Sequence, residues 1–230
     1  MNTKRTDSDA PLIYIVDDEP DVRLAVSLLM QSIGLETQCF ANAREFWDAL
    51  DPQQPGCIVL DVRMPGMSGI ELQAQLTTLP YHPPIIMVSG HGEVPTVVRA
   101  MKSGALDFLQ KPYSDQDLID RVHRAIAIDE QRRAAHASRQ HAMKLVQSLT
   151  PRECDVMQRV VRGVMNKVIA ADLGVSTRTV EIHRAHVMDK LQVRSLAELI
   201  RLVSNAGAPG ATNLDTTIAA LGADNTQSSP

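Results

Sequence analysis

Cysteine and long apolar runs are scarce in this chain, and each scarcity removes a class of protein. Cysteine occurs at positions 39, 57 and 154 only, far apart and without CxxC or metal-ligand spacing. Neither a disulfide framework nor a structural zinc site follows from such a pattern, and a reducing cytoplasm is the expected setting. No apolar run approaches the roughly 20 residues that a bilayer span requires. The first ten residues are polar and lack the apolar core of a signal peptide. A chain without membrane contact, staying where it is made, is therefore expected. Strand-forming text is also missing from the last hundred residues, which points to a second architecture there.

What is present is a charge asymmetry. The net charge of −4 is composed of two unlike halves. Residues 10–127 carry 8 basic and 15 acidic side chains, whereas 148–205 carry 9 basic and 6 acidic. Opposite signs in two halves suggest two domains with different partners, and the basic one is compatible with nucleic acid.

The first half alternates short β-branched runs with stretches of helical periodicity. Leu12 to Val16 reads as a strand, and Pro20 opens a helix that Gly34 stops. Thr37 to Phe40, Gly56 to Leu60, Ile85 to Val88 and Asp107 to Gln110 read as four further strands, each followed by a helical pattern. Five strand-helix pairs in strict alternation imply a parallel sheet with helices on both faces and right-handed crossovers. The segment 128–147 is polar and alanine-rich without a full apolar stripe and is read as a helical or partly ordered linker. Beyond it, Thr150-Pro151-Arg152-Glu153 combines a cap, a first-turn proline and a reciprocal glutamate. Asn166 to Leu173 is a short second helix, Ser176 caps a third running to Leu191, and Ser195 to Glu198 reads as a capping box for a fourth. Residues 206–230 read as a disordered tail, with at most a short helix near 214–221.

In such a sheet the carboxyl ends of strands one, three, four and five bring Asp17, Asp18, Asp61, Ser89 and Lys111 to one rim. Clustered carboxylates repel unless a cation joins them, and hard oxygen donors of this kind suit Mg²⁺. A metal would make phosphoryl transfer onto Asp61 feasible, with Lys111 neutralising one phosphoryl oxygen and the Ser89 hydroxyl bonding another. Taken singly, Asp-Asp after a strand is an ordinary helix start, Lys-Pro a loop and Ser-Gly a turn. Four such features at the ends of four strands of one alternating pattern favour a shared chemistry.

In the second half, two short helices joined by a turn give a helix-turn-helix. Stepping 100° per residue from Val180 puts Val187 and Leu191 on the buried line and Arg178, Ile182, Ala185 and Asp189 opposite, flanked by Glu181 and His186. An outward isoleucine suits thymine methyl groups, Arg178 suits guanine or a phosphate, and Glu181 suits cytosine. Thr177, Thr179, Asn166 and Lys167 are candidates for phosphate contacts, as is Arg184 beside the buried line. His183 is a further candidate for DNA contact that would serve equally as a packing residue. A three-helix bundle without DNA is the bland alternative.

Val16-Asp17-Asp18-Glu19, Leu60-Asp61-Val62-Arg63-Met64-Pro65-Gly66-Met67-Ser68-Gly69, Ser89-Gly90-His91-Gly92 and Phe108-Leu109-Gln110-Lys111-Pro112 resemble the receiver domain of two-component response regulators. That resemblance implies a flavodoxin- or CheY-like fold in which Asp61 accepts phosphate from a sensor histidine kinase. It further implies that Asp17, Asp18, Asp61 and the Arg63 carbonyl hold Mg²⁺, that Ser89 and Phe108 form the switch, and that Lys111-Pro112 is often cis. Leu149-Thr150-Pro151-Arg152-Glu153, Asn166-Lys167-Val168-Ile169-Ala170 and Leu173 to Arg184 resemble the LuxR-type DNA-binding domain. Together the halves resemble the FixJ branch of the NarL/FixJ regulators: a non-enzymatic transcription factor that dimerises on phosphorylation and meets promoter DNA and RNA polymerase. A haloacid-dehalogenase-like phosphatase would want an acid two residues after Asp61, where Arg63 stands. A promoter-binding factor with no phosphate switch is the other rival.

Overall fold

The computed structural model describes residues 10–90 and 94–207. The elements are β1 (Leu12–Val16), α1 (Pro20–Ser32), β2 (Glu36–Phe40), α2 (Ala43–Ala49), β3 (Gly56–Asp61), α3 (Gly69–Leu76), β4 (Ile85–Ser89), α4 (Val94–Lys102), β5 (Asp107–Gln110) and α5 (Asp115–Gln147), then α6 (Pro151–Val161), α7 (Asn166–Leu173), α8 (Thr177–Lys190) and α9 (Leu196–Ala206). The backbone divides between Ala134 and Ala135 into two units.

In the first unit the strands pair in parallel in the order β2-β1-β3-β4-β5. Strand alternation sorts their side chains onto two faces. Tyr14, Val16, Ile58 and Leu60 share a core with Phe46 of α2 and Leu72 and Leu76 of α3. Ile13, Ile15, Cys57 and Val59 pack with Met30 of α1 and Leu118 and Val122 of α5. Every residue of β3 is buried, as both-face coverage of a central strand requires. The chain leaves β1 toward β2 on one side and β3 lies on the other, so strand order reverses between β1 and β3, where open α/β sheets form their crevice.

The segment read as a linker is helical throughout, because α5 runs unbroken to Gln147. Two sets of contacts hold it. Asp129 accepts from the Gly56 amide at 3.0 Å and from the Tyr81 hydroxyl, and Arg133 donates to the carbonyls of Pro52 and Gln53 and lies over the Tyr81 ring. Further along, Ala142 is buried and Leu145 and Val146 pack against the core of the second unit.

That second unit, α6 to α9 with the end of α5, closes over Val156, Met157, Ile169, Val180, Leu199 and Val203. Thr150 and Glu153 form the reciprocal box expected at the start of α6. At α9 only half of the expected box is made: the Ser195 hydroxyl accepts from the Glu198 amide, while the Glu198 carboxylate bonds the Arg194 amide. The tail from 208 onward, including the short helix considered near 214–221, lies outside the described residues. Among the described residues no helix is long and apolar enough to cross a membrane.

Candidate functional site

The crevice at the carboxyl ends of β1 and β3 is where the predicted acidic residues meet. Asp61 is the last residue of β3 and Asp17 follows β1 directly; both carboxylates are buried, and Asp18 beside them is half-exposed. Lys111, just past β5, reaches both: its Nζ lies 2.8 Å from Asp17 Oδ2 and 3.0 Å from Asp61 Oδ1. Glu19 stands at 3.7 Å from the same nitrogen. Backbone amides complete the arrangement, Glu19 donating to Asp17 Oδ1 at 2.9 Å and Arg63 to Asp61 Oδ2 at 2.6 Å.

These contacts set the electrostatics. Burial pushes the Asp61 carboxyl above the usual carboxylate range, and Lys111 offsets only part of that. Burial also opposes charge on Lys111, but hydrogen bonds to Asp17 and Asp61 outweigh it and raise the ammonium above its ordinary value. A carboxylate pair held by one ammonium in a half-dry crevice is poised to exchange charge with an incoming anion and cation.

Ser89, the last residue of β4, is buried one step beyond the Val88 that pairs with Asp61, and its carbonyl accepts from the Lys111 amide at 2.8 Å. Phe108 pairs with Met87 in the β4-β5 ladder and packs half-buried against the α2–α3 side of the core. The Lys111-Pro112 bond is cis. Tyr113, which residue types alone did not single out, lines a small cavity with Val22, Val26 and Val88 beneath Asp17 and Asp61. The signal available was an aromatic two residues after Lys111.

Among the described residues no group of three or more His, Cys, Asp or Glu side chains is spaced to hold a metal ion by itself; Lys111 stands between the two buried carboxylates. Oxygen donors alone, two of them buried, nevertheless match the preference of a small hard divalent ion, which needs only one or two carboxylates beside water and phosphate oxygens. The donor set fits Mg²⁺.

In the second unit, Val180, Val187 and Leu191 are buried and Arg178, Glu181, Ile182, Ala185, His186 and Asp189 are exposed, as the 100° projection requires. Ile182 is 48% exposed, a wide apolar surface for one side chain. Thr177 and Lys167 are exposed. Thr179 is half-buried, and its hydroxyl lies 2.8 Å from that of the cap residue Ser176. Arg184 donates to Asn166 Oδ1 at 3.3 Å, joining two predicted phosphate contacts from α7 and α8. His183 is half-buried, with its Nδ1 turned inward and making no hydrogen bond among the described residues.

Residues 13–123 match the family model of the response regulator receiver domain, and residues 147–203 that of the bacterial regulatory proteins of the luxR family. Nodulation protein W of Bradyrhizobium diazoefficiens is 44% identical over 200 residues, 87% of this chain and 88% of that protein. Transcriptional regulatory protein FixJ of the same organism is 43% identical over 195 residues, 85% of this chain and 95% of that protein. Among solved structures, the response regulator StyR matches with a TM-score of 0.75 at 45% identity, over 84% of this chain and 98% of that one. Full-length FixJ from B. japonicum matches with a TM-score of 0.52 at 42% identity, over 86% and 98%. The chain therefore belongs to the two-component response regulators of the NarL/FixJ type, transcription regulators that join a receiver domain to a LuxR-type DNA-binding domain.

Proposed function

We propose that Asp61 is the phosphoacceptor, and that its phosphorylation by a sensor histidine kinase controls how α8 engages promoter DNA. The observation that carries this reading is the convergence of the buried Asp61 and Asp17 carboxylates on Lys111 Nζ at the topological switch of the sheet. Receiver function then lies in 10–127 and DNA binding in 148–205, with 128–147 connecting them. An Asp61 oxygen attacks the phosphorus of a phosphohistidine; the new P–O bond forms as the P–N bond breaks, and the electron pair leaves with the imidazole nitrogen. Asp17, Asp18, Asp61 and the Arg63 carbonyl are the residues that would hold Mg²⁺. When bound, the ion supplies positive charge against the phosphoryl oxygens.

Lys111 then exchanges its contact with Asp61 for a phosphoryl oxygen, and the Ser89 hydroxyl bonds another. Phe108 turns into the space that Ser89 vacates, reshaping the surface of α4 and β5. Val94, Val98 and Met101 expose an apolar stripe on α4, which supports homodimerisation there once the surface is reshaped. On DNA, Arg178, Glu181 and Ile182 read base edges, while Asn166, Lys167, Thr177, Thr179 and Arg184 hold the backbone and His183 packs behind them. Contact with RNA polymerase at the promoter and a cytoplasmic location follow from a role in transcription.

The test is labelling with acetyl phosphate and Mg²⁺, read by intact mass, alongside binding to promoter fragments. Wild type should gain one phosphoryl group and bind DNA more tightly; Asp61→Asn should do neither. Equal labelling of both proteins would sink the assignment.

A further inference from the structure

Two adjacent residues in the first turn of α6 each grasp the carboxyl-terminal end of a different helix of the helix-turn-helix. Arg152 Nη2 donates to the carbonyl of Leu173, the last residue of α7, at 2.6 Å. Glu153, buried, accepts at Oε2 from Lys190 Nζ at 2.7 Å, and Lys190 is the last residue of α8. The same Glu153 oxygen accepts from the Thr150 amide at 2.8 Å and the Thr150 hydroxyl at 2.9 Å, so the carboxylate is fixed from its own side before it meets the lysine. One short, capped turn thus holds both helix ends.

We propose that Arg152, Glu153 and Lys190 are positioning residues that set the angle at which α8 presents its reading face to DNA, without touching DNA themselves. The proposal rests on the reading of α8 as the recognition helix and goes beyond it by assigning the sequence preference partly to residues outside the groove. Three observations support it.

Lys190 lies at the end of α8 away from Arg178, whereas recognition helices of this class read bases mainly with their amino-terminal residues. Its side chain is 38% exposed, yet its ammonium is taken up by Glu153. The lever is also long: twelve residues at about 1.5 Å each put Arg178 about 18 Å from the Lys190 anchor. A tilt of about 10° there moves the reading residues by about 3 Å, on the scale of a whole hydrogen bond. Base-edge hydrogen bonds do not survive such a shift, but attraction to the phosphate backbone, which is long-ranged and tolerant of position, does.

The test uses the full chain and two duplexes: one selected from random-sequence DNA by the wild-type protein, and one unrelated duplex of equal length. Lys190→Met, Glu153→Gln and Arg152→Met are compared with Lys190→Arg, which keeps the cation, all well below their measured unfolding temperatures. The expected result is a roughly 10- to 100-fold loss of affinity for the selected duplex. Affinity for the unrelated duplex should change less than about twofold, with an unchanged salt slope, and Lys190→Arg should recover most of the loss. A proportional fall on both duplexes would reduce these residues to fold stability and overturn the proposal. So would a salt slope lowered by about one phosphate contact in the Lys190 variants, or unchanged selectivity throughout. If the wild type selects no sequence at all, the recognition-helix reading falls and takes the proposal with it.

Discussion

The α-carbon of Gly69 faces the carbonyl of Asp61 so closely that a β-carbon there would lie 2.0 Å from that oxygen. The first residue of α3 is thereby pressed against the backbone of the proposed phosphoacceptor, and only the absence of a side chain permits it. Gly69→Ala should therefore shift Asp61 itself. We expect a loss of about 1–3 kcal/mol of stability together with slower labelling by acetyl phosphate. Gly56→Ala, where φ is +140° and the β-carbon would meet the Leu12 carbonyl at 1.9 Å, should destabilise at least as much. Its effect on labelling should follow the folded fraction alone. Denaturant melts beside labelling rates separate the two.

Lys111→Met removes the ammonium between Asp17 and Asp61 and leaves two buried carboxylates facing each other. Breaking a buried pair in this way costs several kcal/mol, reduced here to about 2–3 because the lysine side chain keeps some solvent contact. Asp61 already titrates above its ordinary range through burial, and the variant raises it further. A carboxyl with a raised folded-state value favours the neutral form, so stability should recover as pH falls through that raised value toward the unfolded one. Millimolar Mg²⁺ should stabilise the variant more than wild type in thermal melts. Equal Mg²⁺ responses would argue against the carboxylates as the ion's ligands.

Glu153 is held down to a pKa of about 2, chiefly by its hydrogen bond from Lys190 and then by the Thr150 amide. A depressed carboxylate contributes stability that is fully present above its unfolded value, near 4.5, and is lost as pH falls through its folded value. Wild type should thus lose stability across the window from about pH 4.5 to 2 more steeply than Glu153→Gln. Acid titration of residues 135–207 within the whole chain, followed by amide exchange, reads this directly.

Asp129 and Tyr81 form a second pairing that can be isolated energetically. Asp129→Ala removes a buried carboxylate with two hydrogen-bond partners, Gly56 and Tyr81, and the Arg133 guanidinium at 4.0 Å, and should cost about 2–4 kcal/mol. Tyr81→Phe should cost about 1 kcal/mol, and the double variant should fall short of the sum. Additive effects would mean that the two residues do not act together.

Val98 is half-exposed on α4. Val98→Glu should leave the stability of the unphosphorylated protein within about 0.5 kcal/mol of wild type. It should abolish dimer formation after phosphorylation, measured by sedimentation, if that surface is the dimer face.

Much of the site was legible because it rests on local patterns repeated in register. Asp17, Asp61, Ser89 and Lys111 each stand at the carboxyl end of a short apolar run, and in a parallel sheet all such ends share one rim. The outward face of α8 was legible for a similar reason, since 100° per residue separates Val180, Val187 and Leu191 from Ile182. The extent of α5 was not. Residues 128–147 carry no full apolar stripe, and the contacts that hold them come from elsewhere in the chain: Gly56 and Tyr81 through Asp129, the carbonyls of Pro52 and Gln53 through Arg133, and the core that Leu145 and Val146 pack against.

By itself, then, the sequence determined the strand-helix alternation, the helix caps and the residue types at the rim, all of which depend on neighbours a few positions apart. Only the tertiary structure decided that one lysine would stand between two of the acids, and that Asp129 would reach back 73 residues to the Gly56 amide. Only it decided that Glu153 would meet Lys190 37 residues away. Such pairings carry no periodic signal. They form because packing of the whole chain strips water from a charge and leaves one oppositely charged or hydrogen-bonding group within reach to replace it.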